Sequence, residues 1–420
     1  DRVASRGLGD VYKRQDCMMS VKKNKGKCIF DIGTNKVICL TYKSINELDF
    51  DIFGWSHKKS SGISKSRVSD VEKVSKTILD VADEMRTKVN IENITTNISD
   101  INSLQKKEFS EINIGGVKIS KKEIRKSYKK SLQNSNLANK NLIHSIPLKF
   151  TIDNIQSLSD PLGIYGNNLG LNTYNIWIDS SIVKNIDNCF KNANLIVENI
   201  IDSSFASAEF CLTKEEKKIG STCIDIGAGT AKIATYYKGN PEYINYVPLG
   251  GNDVTNDIEK GLEISKELAE YIKVLHGDLE HSNTKNIKLD LKDGSQKNIT
   301  QNLLHGIIKP RYEEIFEIIR DKLQDNLVSR VGVNQIVLTG GASQISGLAD
   351  FAAKIFNRKT RLSIPNTKFS YLNKPEFSNI LGLMRMKSDI DLKKIIKSVS
   401  NNKIYNLIEN FDNWVKESFM

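Results

Sequence analysis

Residues 28–42 read CIFDIGTNKVICLTY, and residues 223–237 read CIDIGAGTAKIATYY. Each is an apolar, β-branched run ending in Asp-Ile-Gly, then a short turn of small or polar residues, a lysine and a second apolar run. Two such runs joined through a glycine turn predict a β-hairpin; the first turns around Gly33 to Lys36. One Asp-x-Gly hairpin alone is an ordinary turn. Two copies far apart in the chain, at Asp31 and Asp225, imply two related halves of one α/β molecule. A third glycine stretch, VLTGGASQISGL at 337–348, reads as a strand running through Gly340 and Gly341 into a helix.

Outward from the first hairpin, Ile45 to Trp55 predicts a third strand. Asp70 to Val89 predicts an amphipathic helix, because Val71, Val74, Ile78, Val81, Ala82 and Met85 recur at spacings of three and four. Residues from about 98 to 175 are polar and rich in Lys and Asn, with strand candidates at Ile112–Ile119 and Tyr174–Ile178 around a helix at Lys121–Leu132; this reads as a small inserted domain. Helices are expected at Ile182–Ala193, Asp253–Gly261, Ser265–Leu275 and Asn302–Lys322, and strands at Ile196–Ile200 and Ile287–Leu291.

With 420 residues, 39% apolar and 26% charged, the chain suits two or more domains with real cores, and not a disordered or fibrous protein. No run approaches the roughly 18 apolar residues of a membrane-spanning helix. The six cysteines form no CxxC pair, which favours a reducing cytoplasm. The net charge of +11 is scattered, without an aromatic-interleaved basic stripe, so no nucleic-acid partner is expected. Residues 1–17 hold three of the chain's arginines and lack the apolar core of a secretory signal; they read as a non-native leader before a start at Met18 or Met19.

Each Asp-Ile-Gly turn puts a carboxylate at a strand end with backbone amides just beyond it. Glycine lets the backbone approach a phosphate, and the amides supply donors. A carboxylate does not bond phosphate directly at neutral pH, but it can hold a hydrated Mg²⁺ that does. Two facing turns would clamp the phosphates of a nucleotide. Phe30 to Val37, Asp225 to Ile233 and Ile336 to Gly347 resemble the phosphate-1, phosphate-2 and adenosine motifs of the actin/DnaK/sugar-kinase superfamily. Within it the chain resembles the FtsA family, bacterial actin homologues that tether the FtsZ division ring to the membrane. Further marks are VPLGGNDVTNDI at 247–258, AEYIKVLHG at 269–277, the segment around Lys309-Pro310-Arg311 and the amphipathic C-terminus.

The resemblance implies an actin-like two-lobed ATPase fold of duplicated ribonuclease-H-like domains, with an inserted SHS2-like α+β subdomain and a C-terminal amphipathic helix. Its subdomains would be 1A at 18–97 and 176–218, 1C at 98–175, 2A at 219–252 and 326–385, and 2B at 253–325, then a basic linker at 386–403 and a helix at 404–420. It implies ATP and Mg²⁺ as ligands. Asp31 and Asp225 would be the catalytic, water-mediated Mg²⁺ carboxylates, and Gly33, Thr34, Lys36, Gly227, Gly229 and Thr230 would hold phosphates. Glu270 and Lys273 would contact ribose and adenine, and Gly340, Gly341 and Ala342 would support the base. Arg311 and Glu314 match the surface that receives the FtsZ C-terminal tail.

Three features depart from the family. Lys232 stands two places after Thr230, where an acid is usual, and the connecting helix within Ile200–Leu212 offers no clear Gln or Glu to orient a water. Slow hydrolysis is therefore expected, ATP acting as a conformational and polymerisation ligand. The insert also opens with Asn97-Ile98-Ser99-Asp100 in place of a Gly-x-His start.

Ile404, Leu407, Ile408, Phe411, Trp414 and Val415 fall on one helical face. The pattern alone fits either interfacial membrane binding or docking on the chain's own body. The resemblance favours the membrane, and the basic linker adds attraction to anionic lipid. The implied protein is a peripheral component of the inner membrane's cytoplasmic face at the division site, forming actin-like filaments and recruiting late division proteins. A superfamily kinase or an actin-like pilus-assembly scaffold are the alternatives.

Overall fold

The computed structural model describes residues 24–45, 50–87, 89–135, 137–281, 284–291, 294–324 and 334–386. The first lobe opens with an antiparallel meander: β1 (Asn24–Ile32), β2 (Lys36–Ser44) and β3 (Phe50–Lys59). A small hairpin, β4 (Ile63–Ser64) with β5 (Arg67–Val68), leads to α1 (Val71–Arg86). Asp70 caps α1 by accepting the Lys73 N–H at 3.1 Å, and the helix buries Val74, Ile78, Val81, Ala82 and Met85. Val89 does not end this helix, as its spacing suggests, but starts β6 (Val89–Ile98), which runs parallel to β1. The β-branched run after Thr87 favours the strand.

The insert follows. It comprises β7 (Leu104–Asn113), α2 (Lys121–Asn134), β8 (Lys140–Ile152), β9 (Gln156–Leu158) and β10 (Asn168–Asp179), in sheet order β7-β10-β8-β9. The expected strand at Tyr174–Ile178 is the end of the longer β10, which lies between β7 and β8, and β8 itself gave no sequence signal. The strand expected over Ile112–Ile119 stops at Asn113, where the chain turns through Gly115 and Gly116, both at positive φ. After α3 (Ser180–Asn192), β11 (Val197–Asp202) completes the first sheet in the order β11-β6-β1-β2-β3.

Two helices, α4 (Ser203–Cys211) and α5 (Lys214–Ile219), connect to the second lobe. There β12 (Ser221–Ile226), β13 (Ala231–Tyr237) and β14 (Asn240–Val247) form a second meander. Next come α6 (Gly251–Leu262), α7 (Lys266–His276), the hairpin β15 (Asn286–Asp290) with β16 (Gln296–Thr300), and α8 (Gln301–Gln324). The lobe closes with β17 (Gln335–Thr339), α9 (Leu348–Phe356), β18 (Lys359–Leu362) and α10 (Ser378–Arg385). Its sheet order, β14-β13-β12-β17-β18, repeats the first: an antiparallel meander, then two parallel strands beside its first member.

Each lobe and the insert has its own apolar core. Helix α4 joins them. Ala206 packs with Ile29, Ile38 and Leu381, while Phe205, Ala208 and Cys211 pack with Cys223, Tyr236 and Val337 of the second sheet. A helix apolar on both sides is a buried helix; of its polar residues, Ser207 bonds Asp225.

Candidate functional site

The two Asp-Ile-Gly turns close in the same way. The Gly33 N–H donates to Lys36 O at 2.9 Å, and the Gly227 N–H donates to Thr230 O at 2.9 Å. They meet across the cleft: a Cβ on Gly229 would stand 2.6 Å from Thr34 Oγ1. Between them lies a cavity of about 400 Å³. All thirteen residues expected to contact nucleotide or metal line it: Asp31, Gly33, Thr34, Lys36, Asp225, Gly227, Gly229, Thr230, Glu270, Lys273, Gly340, Gly341 and Ala342.

The third glycine turn earns its composition. Gly340 has φ +94°, and a Cβ there would come within 2.5 Å of Ile226 O and closer still to Asp225 Oδ1. Opposite it, Lys273 is held by Glu270 Oε2 at 2.6 Å, Thr255 Oγ1 at 2.8 Å and the Gly251 carbonyl at 2.9 Å. Burial lowers the Lys273 ammonium below the ordinary lysine value against the pull of Glu270.

Asp31 accepts from Asn97 Nδ2 at 2.7 Å. Burial raises its carboxyl above the ordinary carboxylate range, against the opposing pull of Lys232 and Lys36. Asp225 Oδ2 accepts from Ser207 Oγ at 2.7 Å and from Lys232 Nζ at 3.0 Å. Burial works to lower the Lys232 ammonium, but Asp225 and Asp31 overcome it and hold its pKa above the ordinary lysine value. Lys36 pairs with Glu376 at 2.8 Å and lies over the Phe377 ring.

The lysines of the two quoted stretches, which look like counterparts, are not equivalent. Lys232 is directly opposite Asp225 in the β12–β13 register, whereas Ile38 is opposite Asp31 and Lys36 stands two residues earlier, at the first position of β2. Equal turn lengths put Lys36 level with Thr230.

Several cavity residues escaped the sequence reading. Asn97, at the end of β6, also accepts the Ile32 N–H at 2.7 Å; a polar residue ending a parallel strand was its only signal. Ser66, in the β4–β5 turn, reaches across the cleft to Thr230 Oγ1 at 2.8 Å. Ser207, buried on α4 behind the cavity wall, enters through its bond to Asp225.

Arg311 and Glu314 are on α8, away from the cavity. Arg311 bonds Asp257 of α6 through two nitrogens, at 2.6 and 3.0 Å, and also Glu314. The set expected to face a membrane, Ile404, Leu407, Ile408, Phe411, Trp414 and Val415, the expected linker from 387 onward and the expected leader lie outside the described residues. Among the described residues no helix is long and apolar enough to cross a membrane.

Residues 222–382 match the family "Cell division protein FtsA", and residues 99–177 match "SHS2 domain inserted in FTSA". The cell division protein FtsA of Rhizobium meliloti is 29% identical, the alignment covering 95% of this chain and 96% of that one. The Agrobacterium fabrum FtsA is 28% identical over 87% and 88%. Among solved structures, the PilM-PilN type IV pilus biogenesis complex superposes with TM-score 0.62 at 15% identity, over 88% of this chain and 98% of that one. Spiroplasma citri MreB5 bound to ADP gives 0.54 at 13% identity, over 90% and 99%. These likenesses establish the actin-like fold. With one FtsA description over the second lobe, its companion over the insert, and FtsA relatives aligned along nearly the whole length, the chain belongs to the FtsA family of cell-division proteins.

Proposed function

We propose that this actin-like cell-division protein binds ATP between its lobes, polymerises, and tethers the FtsZ ring to the cytoplasmic face of the inner membrane. The observation that carries the reading is the cavity itself, where two amide-rich turns from duplicated hairpins face each other beneath a glycine turn and a buried lysine paired with Glu270. Backbone N–H groups of Thr34 and Gly229 would receive phosphate oxygens, those of Gly33 and Gly227 being used to close their turns. The apolar edge at Ala342, Val274 and Ile345 suits a base.

Asp31 and Asp225 fit a Mg²⁺ that arrives with the nucleotide. That ion is commonly held by one or two carboxylates plus phosphates and water, not by an all-protein cage, and among the described residues no cluster of three or more acids, histidines or cysteines stands ready for a metal. The ion would supply charge neutralisation of the phosphates. Hydrolysis would be slow: the acid of α4, Glu209, is turned out to Lys217 at 2.7 Å and Tyr236 at 2.7 Å, leaving only Ser203 and Ser207 toward the site. Arg311 and Glu314 are the proposed contacts for the FtsZ tail, and residues 404–420 the membrane anchor. The subdomain limits given above remain part of this proposal.

Vesicle co-sedimentation tests the reading, using the protein from Met19 with and without residues 404–420, each with and without ATP and Mg²⁺. The expected result is that only the intact chain pellets with anionic vesicles, and more with ATP, as polymer avidity requires. Equal pelleting of both forms, or of neither, would remove the tether.

A further inference from the structure

Lys232 is directly opposite Asp225 across the β12–β13 ladder, and such partners share one face of a sheet. Its ammonium lies 3.0 Å from Asp225 Oδ2, with the lysine side chain 12% and the aspartate 6% exposed. Asp31 of the other lobe acts on the same ammonium, and all three line the cavity. The matching register position in the first lobe is Ile38, buried in apolar contacts, so duplication supplies this cation once.

The other charges of the cavity largely pair off: Lys36 with Glu376 at 2.8 Å, and Lys273 with Glu270 at 2.6 Å. Without Lys232, the two aspartates would face an incoming polyphosphate with only Lys374 against them. In a site this enclosed, such a charge is screened weakly by salt.

We propose that Lys232 is a built-in counter-cation of the phosphate site, so that this chain binds nucleoside polyphosphates with little dependence on a divalent metal. The inference rests on the nucleotide reading above and deepens it. The ammonium is fixed by strand register, so it offsets one of the two aspartate charges before any metal arrives. Lys232 is thus a positioning residue for charge.

Fluorescent ATP-analogue titrations of the full chain, Lys232→Met and Lys232→Arg, each in Mg²⁺ and in EDTA, test this. Replacing Mg²⁺ by EDTA should weaken wild type and Lys232→Arg by no more than about threefold, and Lys232→Met by about tenfold or more, as loss of a fixed charge requires. A loss in EDTA of about tenfold or more in wild type overturns the proposal whether or not the variants fold. Equal metal dependence in all three, with near-UV circular dichroism unchanged, overturns it as well and leaves nucleotide binding standing. Absence of binding in either buffer removes the nucleotide reading and this inference together.

Discussion

Lowering the pH should destabilise the junction between insert and first lobe through one residue, His144. Its side chain is 5% exposed on β8; Nε2 accepts the Asp202 N–H at 2.9 Å, and the ring lies 5.1 Å from that of Phe205. With Nε2 occupied as an acceptor, the imidazole is neutral and carries its proton on Nδ1. Burial drives its pKa down to about 3. The unfolded chain takes up that proton near pH 6.5, whereas the folded chain refuses it until about pH 3. Stability from this group is therefore complete above pH 6.5 and is lost as the pH falls below it, at up to about 1.4 kcal/mol per pH unit. Between pH 7.5 and 5.0 the loss is about 2 kcal/mol. Urea unfolding of wild type and His144→Gln at several pH values isolates it, since other carboxylates titrate in both proteins. Wild type should lose about 2 kcal/mol more than the variant over that range. Parallel pH profiles would refute the argument.

Gly340→Ala should weaken ATP-analogue binding by about tenfold or more, because its Cβ cannot fit between Ile226 O and Asp225 in a left-handed backbone; a fluorescence titration checks it. Ser66 has φ +62° and Lys65 φ +46°, so Ser66→Gly should be about 1 kcal/mol more stable than Ser66→Ala in urea, while both lose the same nucleotide affinity with the Thr230 contact. Arg361 bonds both oxygens of Glu216 at 2.8 Å and also the Cys211 carbonyl; Arg361→Met should cost about 1 kcal/mol in urea after allowing for its partial exposure.

The parts of the site legible in the sequence are those whose chemistry is local. A glycine beside an aspartate at a strand end declares its turn within a few residues, so both hairpins and the Gly340 turn were readable, and Glu270 with Lys273 declared their pairing by helical spacing. Residues brought in by tertiary register were not. Ser66 gives no periodic signal, and it reaches Thr230 only because the β4–β5 hairpin leans over the cleft. The lysines at 36 and 232 look like counterparts because a gap aligns them, yet a strand has no gap to spare: Lys36 comes two residues too early and leaves the position opposite Asp31 to Ile38. In the same way β8, mixing His144, Pro147 and Lys149 with apolar residues, shows little alternation, although it pairs with β10 along most of its length.

Helix α4 gives these separate features one mechanical consequence. At its first residues, Asp202 caps the helix through the Ser204 and Phe205 N–H groups, receives the Tyr246 hydroxyl at 2.5 Å, and offers its own N–H to His144. About a turn on, Ser207 donates to the Asp225 carboxylate, and Asn379 of α10 clamps Ser203 O and Ser207 Oγ at 2.8 and 3.0 Å. A helix of nine residues does not bend between these contacts. Moving Asp225 to receive a ligand must therefore break its bond to Ser207 or displace α4 against the insert and β14. The second course disturbs His144 and Tyr246, whose buried groups have no water to fall back on. Hydrogen exchange of the Asp202 amide, with and without ATP, separates the two: a changed rate means that the helix moves with the site, and an unchanged rate means that the Ser207 bond yields alone.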